Sequence, residues 1–268
     1  MSGLNVALLR GFVARWSYRF GLHGKLRVAA HEIRIAKEKM LASPLVIAFA
    51  SDLHAGTTTH PAMFQILFDE LNRQRPDVLL LGGDYVAFKA DQIGAFTEQL
   101  SKFNPPLGKY AVLGNHDLWT DDAHIIRHLE AAGAQVLVNR NCSLAAPFDN
   151  VSICGVDDPW TGVPDAEKTF QGAASIRILL SHSPDGLLVV DKIPFDVGFA
   201  GHTHGGQVAL RDGTPILSAS GPLSRAYSRG RFDHTGNGPL IVSLGVGCSD
   251  LPIRINADPE LVICTLIQ

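Results

Sequence analysis

Long apolar runs, paired cysteines and an excess of charge of either sign are absent from this chain of 268 residues. Its four cysteines are widely spaced and form no CxxC pair, which argues against a disulfide framework and favours reduced, buried thiols in a cytoplasmic protein. The formal net charge of -3 at pH 7 is close to neutral, so no nucleic-acid-binding surface is expected. The remaining composition, 46% hydrophobic, suffices for one large core.

The first residues differ from the rest of the chain, although no stretch approaches the roughly 20 apolar residues of a membrane-spanning helix. Their apolar run is also too short and interrupted for a secretory signal. Apolar residues recur at helical spacing beside arginines: Leu9, Phe12, Val13, Trp16 and Phe20, with Arg10, Arg15 and Arg19. Such a helix can lie in the bilayer interface, as a peripheral contact on the inner face of the membrane, or dock on the protein's own core. The sequence leaves both interpretations open. We assign residues 1–43 to this helix and a lead-in segment, and residues 44–268 to the main domain.

Short apolar runs recur along the main domain, and each ends at a side chain that can bind a metal ion. The runs span residues 46–50, 78–81, 110–113, 176–180 and 197–200, and each is predicted to be a buried strand. They lead into Asp-x-His, Gly-Asp, Gly-Asn-His-Asp, Ser-His and Gly-His-x-His, respectively. Because ligands gather beyond the carboxyl ends of strands in open α/β sheets, we expect one site that holds more than one metal ion.

Helical and turn signals separate these strands. Apolar periodicity predicts helices over residues 60–75, 91–103 and 121–132. Residues 134–156 are predicted to form a strand-turn-strand unit, with turns at residues 139–141 and 149–150. Beyond Gly205 the chain is rich in Gly, Pro and Ser, and we expect strands and loops of a second sheet that end with the run 261–266.

The five motifs, in this order, resemble those of the calcineurin-like metallophosphoesterases. Residues 201–207, 227–230 and 245–260 further resemble a bacterial, membrane-associated branch of that family, so the similarity runs from residue 46 to the C-terminus. The resemblance implies an α/β fold, a four-layer α/β/β/α sandwich of two mixed sheets, with the metal ions at one end of the strands. The continuous apolar runs agree with this, because parallel strands covered on both faces do not alternate between apolar and polar residues.

The resemblance also implies roles for the motif residues. Two divalent ions would be held by seven side chains: Asp52, His54 and His204 around one ion, Asn115, His182 and His202 around the other, and Asp84 bridging both. Oxygen and nitrogen donors without a thiolate suit manganese, iron or zinc. His116 is implied to be a catalytic residue over the phosphoryl group, and Asp117 is expected to orient or charge it.

The implied function is a dinuclear metal-dependent phosphohydrolase that cleaves a phosphodiester or pyrophosphate bond by in-line attack of metal-activated water. The branch and the N-terminal helix together favour a nucleotide-lipid such as UDP-diacylglucosamine, from lipid A biosynthesis, as the substrate. A soluble phosphodiesterase or phosphomonoesterase and a non-catalytic metal-binding scaffold are the alternatives. Protein partners are not identified by any motif.

Several residues near the motifs have two interpretations. Tyr85 and Trp119 either line the pocket or fill space beneath it. Residues 157–160, Asp-Asp-Pro-Trp, either border the cleft or form an ordinary turn. Tyr227, Arg229 and Arg254 either contact substrate phosphate or pack within the second sheet.

Overall fold

The computed structural model describes residues 11–217, 219–233 and 236–268, so Leu9 and Arg10 of the N-terminal pattern lie outside the described residues. Six strands form the first sheet: β1 (Arg27–Arg34), β2 (Leu45–Ala50), β3 (Val78–Leu81), β4 (Lys109–Ala111), β5 (Ala134–Val136) and β12 (Glu260–Ile267). Their order across the sheet is β1-β12-β2-β3-β4-β5. Strands β2 to β5 are parallel, β12 is antiparallel to β2, and β1 is parallel to β12.

Six further strands form the second sheet: β6 (Arg140–Ser143), β7 (Val151–Gly155), β8 (Ile176–Leu180), β9 (Val197–Ala200), β10 (Gly230–Asp233) and β11 (Pro239–Val242). Their order is β10-β11-β9-β8-β7-β6. The inner strands β7, β8, β9 and β11 are parallel, and the edge strands β6 and β10 are antiparallel to their neighbours. Both sheets are therefore mixed.

Among the described residues, seven α-helices connect or flank the strands: α1 (Phe12–Arg19), α2 (Ala62–Gln74), α3 (Gly94–Leu100), α4 (Asn115–Leu118), α5 (Asp122–Ala131), α6 (Ala166–Phe170) and α7 (Gly186–Val190). Short 3₁₀ turns occur at Lys37–Lys39, Ala90–Ile93 and His204–Gly206. None of the helices in the described part of the chain has both the length and the apolarity to cross a bilayer.

The alternation of side chains along each strand builds the four layers. In β2, Ile47 and Phe49 point into a core shared with the second sheet, whereas Ala48 and Ala50 face the layer of α2, α3 and α5. On the far side of the second sheet, Leu179 packs with residues of α6 and α7 in a third cluster. Complete burial of a side chain such as Phe49 contributes about 1.5–3 kcal/mol. The predicted α/β/β/α sandwich is thus confirmed, and both faces of the inner strands are buried as expected.

Three features of the chain depart from the sequence predictions. Strand β1 was not predicted, because it is an edge strand in which only Ile33 is fully buried. The unit predicted over residues 134–156 is divided, since β5 joins the first sheet while β6 and β7 belong to the second. The final strand, β12, lies in the first sheet and not in the second, where the run 261–266 was expected. Apolar strands buried on both faces suit either sheet, so the pattern alone could not assign them.

Helix α1 docks through small residues and leaves its aromatic side chains outside. Ala14 and Ser17 are buried, whereas Phe12, Trp16 and Phe20 are 63%, 51% and 60% exposed. The ring centroids of Trp16 and Phe20 lie 4.5 Å apart, so these two residues form a continuous aromatic surface. The helix therefore both packs on the domain and presents an apolar face.

Hydrogen bonds tie α1 to the segment 252–254. The Ser17 hydroxyl donates to the carbonyl of Pro252 and lies 3.2 Å from Nδ1 of His23. The amide of Arg254 donates to the carbonyl of Leu22 at 2.7 Å. Burial lowers the pKa of His23 to about 4, so this ring is neutral near pH 7 and can take part in the chain of hydrogen bonds.

Candidate metal centre

Five of the seven predicted metal ligands have left-handed backbone conformations, in the turns that follow β2, β3 and β9. Their φ angles are +55° for Asp52, +42° for His54, +54° for Asp84, +70° for His202 and +50° for His204. This region is sparsely populated by residues other than glycine and costs about 1–3 kcal/mol each. The backbone of these turns is thus locally unfavourable, and it brings the side chains together beyond the strand ends.

The first group of side chains comprises Asp52, His54 and His204, all buried. Nε2 of His54 lies 3.0 Å from Nε2 of His204, and Nε2 of His204 lies 3.4 Å from Oδ1 of Asp52. The Asp52 carboxylate is fixed by the Ser51 hydroxyl at 2.6 Å and by the amide of His202 at 3.0 Å. Three donor atoms from two sheets therefore face one point.

The second group comprises Asn115, His182 and His202. Nε2 of His182 lies 3.0 Å from Oδ1 of Asn115 and 3.2 Å from Nδ1 of His202. Backbone carbonyls orient both rings, because Nδ1 of His182 donates to Gly82 at 2.8 Å and Nε2 of His202 donates to Ser220 at 2.7 Å. Each ring thus turns its other nitrogen toward the group, Nε2 in His182 and Nδ1 in His202, which is the orientation that metal-binding imidazoles need.

Asp84 lies between the two groups. Its Oδ2 is 3.6 Å from Nε2 of His54 in the first group and 3.4 Å from Nε2 of His182 in the second. Its Oδ1 accepts the amide of His116 at 2.9 Å. One oxygen of this carboxylate is thus close to a histidine ring nitrogen of each group, as a bridging ligand must be.

Two glycines allow the backbone to approach the carboxylates. A Cβ atom at Gly114 would lie 2.3 Å from Oδ1 of Asp84, and one at Gly201 would lie 2.3 Å from Oδ2 of Asp52. Any side chain at either position would displace a predicted ligand. The glycines of these motifs therefore serve close packing around the site.

The electrostatics of the site fit divalent cations. Burial lowers the pKa of His54 to about 3 and lowers that of His204 well below its usual value. Burial raises the pKa of Asp52. Against the opposing effect of burial, the charge of Asp84 raises the pKa of His182 well above its usual value, so this carboxylate draws positive charge to the site. The convergent nitrogen and oxygen atoms are thus unfavourable together unless a proton or a cation lies among them. The nitrogen and oxygen donor set, with no cysteine among the described groups, suits manganese, iron or zinc.

His116 lies at the edge of the two groups. Its Nδ1 lies 2.7 Å from the carbonyl of Ala87, and its ring packs edge-on against His54 with centroids 4.7 Å apart. The ring is partly exposed and lines the cleft above the site. Nε2 is consequently the nitrogen left to face a bound molecule.

Asp117 does not have the neighbour that the sequence analysis assigned to it. Its carboxylate accepts the amides of Asp84 at 2.8 Å, Tyr85 at 2.9 Å and Gly114 at 2.9 Å, and the ring of His116 is oriented by the Ala87 carbonyl instead. Helix α4 directs the side chain back beneath the strand ends, away from the cleft. Burial, and next the charge of Asp84, raises the pKa of Asp117 to about 8, while the amides of Gly114 and Tyr85 oppose this shift. Asp117 therefore joins the Asp84 turn to the Asn115 turn.

Arg254 is a residue near the site whose position the sequence did not predict. It is 4% exposed, and its guanidinium lies behind the first group, with Nη2 3.1 Å from Nδ1 of His204. Its other donors reach the carbonyls of Leu244 and Ala257, both at 2.9 Å, and that of Gly247. Arg254 thus supports the His204 turn from within the protein and does not reach the cleft. Only the Pro-Ile-Arg segment of the resemblance pointed to it.

The other ambiguous residues are now placed. Tyr85 is fully buried and donates to the carbonyl of Val112 at 2.9 Å, so it fills space beneath the site. Arg229 donates to backbone carbonyls of Asp212 and Asn256, and the ring of Tyr227 packs on Phe232 with centroids 4.8 Å apart. None of these three side chains lines the cleft among the described residues.

A cleft of about 320 Å³ opens above the metal centre. Asp84, Asn115, His202 and His204 form its floor. Its walls carry apolar residues that are largely exposed: Trp119 (60%), Trp160 (48%), Leu217 (56%) and Leu251 (47%). Of the residues with two interpretations, Trp119 and Trp160 therefore border the cleft, whereas Asp158 closes the turn that carries Trp160.

Comparisons with known proteins show which family the chain is similar to. The family model described as calcineurin-like phosphoesterase matches residues 45–206. Phosphodiesterase YaeI of Escherichia coli (strain K12) is 32% identical over 243 residues, which cover 87% of this chain and 86% of that protein. An uncharacterized metallophosphoesterase of Bacillus subtilis (strain 168), YkuE, is 31% identical over 204 residues, which cover 73% of this chain and 70% of that protein. Among solved structures, a 5'-nucleotidase precursor from Thermus thermophilus aligns with a TM-score of 0.49 and 16% identity, over 76% of this chain and 49% of that one.

Proposed function

The chain belongs to the calcineurin-like phosphoesterase family, and from this premise we propose the residues that hold its metal ions and the bond that it cleaves. Members of the family are metal-dependent hydrolases of phosphoric esters that use two divalent ions. The chain is accordingly a metallophosphoesterase. The ligand assignment, the role of each residue and the substrate are the parts that we propose.

We propose that Asp52, His54 and His204 hold one ion, that Asn115, His182 and His202 hold the other, and that Asp84 bridges them. The position of Asp84 is the observation that carries this assignment, because its Oδ2 lies within 3.6 Å of a histidine from each group. When bound, the two ions would supply an acidified water molecule and neutralise charge on the phosphoryl oxygens. The chain's own residues would orient the ester, exclude bulk water and handle the proton of the leaving group.

His116 is proposed to act on the substrate directly. Since Nδ1 of His116 donates to the carbonyl of Ala87, Nε2 is the nitrogen on the cleft side of the ring. The doubly protonated ring would give its Nε2 proton to the leaving oxygen and so become neutral. Asp117 is proposed to act by fixing the Asp84 and Asn115 turns, because three amide donors engage its carboxylate.

The bond proposed to be cleaved is a phosphodiester or pyrophosphate, by direct attack of water, in an amphiphilic molecule such as the nucleotide-lipid UDP-diacylglucosamine. Two observations support an amphiphile: the apolar walls of the cleft and the exposed aromatic face of α1. Arginines at positions 15 and 19 accompany that face, as anionic headgroups favour. We therefore propose that α1 makes a peripheral contact with the membrane. A small soluble phosphodiester or phosphomonoester is the second candidate, favoured by the openness of the site, where no helix covers the cleft among the described residues.

Hydrolysis of bis(p-nitrophenyl) phosphate in the presence of manganese tests the metal assignment. We expect Asp84→Asn to lower kcat by more than about 100-fold, since loss of even an outer partner of a metal ligand costs about 10–100-fold. The matched control is Asp149→Asn, which makes the same change at an exposed position before β7, at the amino end of that strand and opposite to the carboxyl ends near the metal centre. Equal rates for wild type and Asp84→Asn would favour the non-catalytic scaffold and contradict the proposal.

A further inference from the structure

The apolar residues that line the cleft are of two kinds. Its tryptophan wall is defined here as Trp119 and Trp160, which follow β4 and β7, and its leucine wall as Leu217 and Leu251, which follow β9 and β11. Apart from the floor residues and His116, the one ionisable side chain among the described lining residues is Asp250, and no lysine or arginine is present there. Affinity for the parts of a substrate on either side of the phosphoryl group must therefore come mainly from apolar contact.

Packing and hydrogen bonds hold the tryptophan wall in place. The ring of Trp119 packs against His116 with centroids 5.0 Å apart. The turn that carries Trp160 is fixed by Asp158, whose carboxylate accepts the amides of Trp160 at 3.1 Å and Thr161 at 2.7 Å. Two exposed indoles whose backbones are fixed offer flat surfaces, on which planar rings stack favourably.

The leucine wall lies beside the first metal group. The carbonyl of Leu251 accepts the side-chain amide of Gln207 at 2.5 Å, and the amide of Ile216, next to Leu217, donates to the carbonyl of Val208 at 2.9 Å. Both leucines are thus attached to the segment that directly follows His204. Aliphatic side chains of this kind suit an alkyl chain better than a planar ring.

The leucine wall also continues toward α1. Residue 252, next to Leu251, accepts the hydroxyl of Ser17 through its carbonyl, and Arg254 donates to the carbonyl of Leu22. The aliphatic side of the cleft is therefore the side that is joined to the helix with the exposed aromatic face. An alkyl chain leaving the cleft on this side would run toward the proposed membrane contact.

We infer that the cleft binds its phosphoester in one direction, with a planar ring against Trp119 and Trp160 and an alkyl chain against Leu217 and Leu251. This inference rests on the proposed function, and it names the class of substrate as aryl- or nucleoside-alkyl phosphodiesters. The phosphoryl group would then lie at the floor of the cleft, with an aromatic substituent on one side and an aliphatic substituent on the other. Trp160 and the two leucines are assigned as the residues that set this specificity.

A series of p-nitrophenyl alkyl phosphates with methyl, butyl and octyl chains tests the inference with manganese present and each ester below its micelle concentration. For the wild type, we expect kcat/KM to rise by about tenfold or more from methyl to octyl, since a buried methylene group in an apolar pocket is worth several-fold. Leu217→Ser and Leu251→Ser should each reduce this octyl-to-methyl ratio by about fivefold. Trp160→Leu should raise KM for every member of the series, because all share the aryl ring, while the ratio stays as in the wild type.

Met40→Ser is the matched control, because Met40 is 74% exposed and precedes β2, at the opposite end of the strand from the metal centre. The octyl-to-methyl ratio of kcat/KM is measured within one preparation of each variant. Differences in the folded fraction between variants therefore cancel. A wild-type ratio near one, or a ratio that survives both leucine substitutions, would overturn the inference while leaving the hydrolase intact. Absence of hydrolysis for every ester by the manganese-loaded wild type would instead contradict the proposed function itself.

Discussion

At the scale of single residues, His116 is the one with two chemically different possibilities. It lies within 4.8 Å of donor atoms on His54 and Asp84, close enough to join a metal shell. Its Nδ1 is nevertheless held by a carbonyl, its ring lines the cleft, and it is more exposed than the seven proposed ligands. These features favour contact with the substrate over contact with an ion.

The substitution His116→Ala separates the two roles. We expect kcat to fall by about 100-fold or more, the usual contribution of a general acid, while two ions remain bound per chain. Kinetics together with elemental metal analysis of the same sample provide the measurement. His124→Ala, on α5, is the control for loss of an imidazole elsewhere. If His116→Ala lost one of the two ions, the residue would have to be counted as a ligand.

The residues of the centre were foreseeable to different degrees. The seven proposed ligands follow apolar runs within short motifs, and their type and position predict a metal site directly. The partners of Asp117 were not foreseeable, because its three hydrogen bonds go to amides of residues 84, 85 and 114, which carry no side-chain signal. Arg254 was ambiguous for the same reason, since backbone carbonyls account for most of its partners.

At the scale of elements, α1 shows which of its residues pack on the domain and which are exposed, a distinction that the sequence alone did not give. Its periodicity predicted an apolar stripe, with either the membrane or the core as its partner. The helix in fact packs with Ala14 and Ser17 and turns Phe12, Trp16 and Phe20 outward. Packing on the domain and an apolar outer face therefore occur together in one helix.

Replacing Phe12, Trp16 and Phe20 with serine tests the proposed membrane contact. We expect partitioning onto anionic vesicles to fall by about tenfold or more, because loss of buried aromatic area outweighs the attraction of the nearby arginines. Sedimentation with vesicles at low and high salt provides the measurement. Substitution is preferable to deletion of the helix, since deletion would also remove the hydrogen bonds to residues 252 and 254.

A matched triple variant controls for the loss of exposed apolar surface in general. Met40, Val163 and Leu188 are 74%, 82% and 57% exposed and lie on other elements, so their replacement with serine should leave vesicle binding as in the wild type. Equal binding of wild type and the α1 variant would remove the membrane contact from the proposal.

At the scale of the whole molecule, the two sheets meet at the metal centre. Asp52, His54, Asp84 and Asn115 follow strands of the first sheet, whereas His182, His202 and His204 follow strands of the second. Each proposed ion would therefore take ligands from both sheets. Bound ions would link the halves of the sandwich at one end, in addition to the apolar core between them.

Removal of metal is accordingly expected to lower stability of the entire domain. With manganese at 100 times its Kd, each ion bound to the folded state contributes about 2.7 kcal/mol, so two ions correspond to about 10–20 °C in Tm for a chain of this size. Calorimetry before and after chelation, and after manganese is restored, measures the shift. The Tm of Asp84→Asn should change little or not at all with metal. A wild-type Tm that is the same before and after chelation would contradict the proposal that the ions take ligands from both sheets.

The sequence was sufficient to predict the type of fold but not which strands pair in each sheet. The runs at Val78–Leu81, Ile176–Leu180 and Val197–Ala200 were delimited correctly, because continuous apolar stretches bounded by polar turns are a strong signal for buried strands. The sheet to which β5 and β12 belong depends on pairing between residues far apart in the chain, and no local pattern encodes it. Long-range pairing is thus the part of the fold that a single sequence left open.

The position of β12 has a consequence for how the protein is made. Residues 260–267 occupy the place between β1 and β2, so a ribosome must have added more than 200 residues after β2 before that neighbour exists. Until then the apolar strand Leu45–Ala50 has one unpaired edge, and such edges invite pairing with other chains. A nascent polypeptide, or one released early before residue 260, would consequently depend on chaperones to avoid aggregation, even though every proposed ligand had already been synthesised.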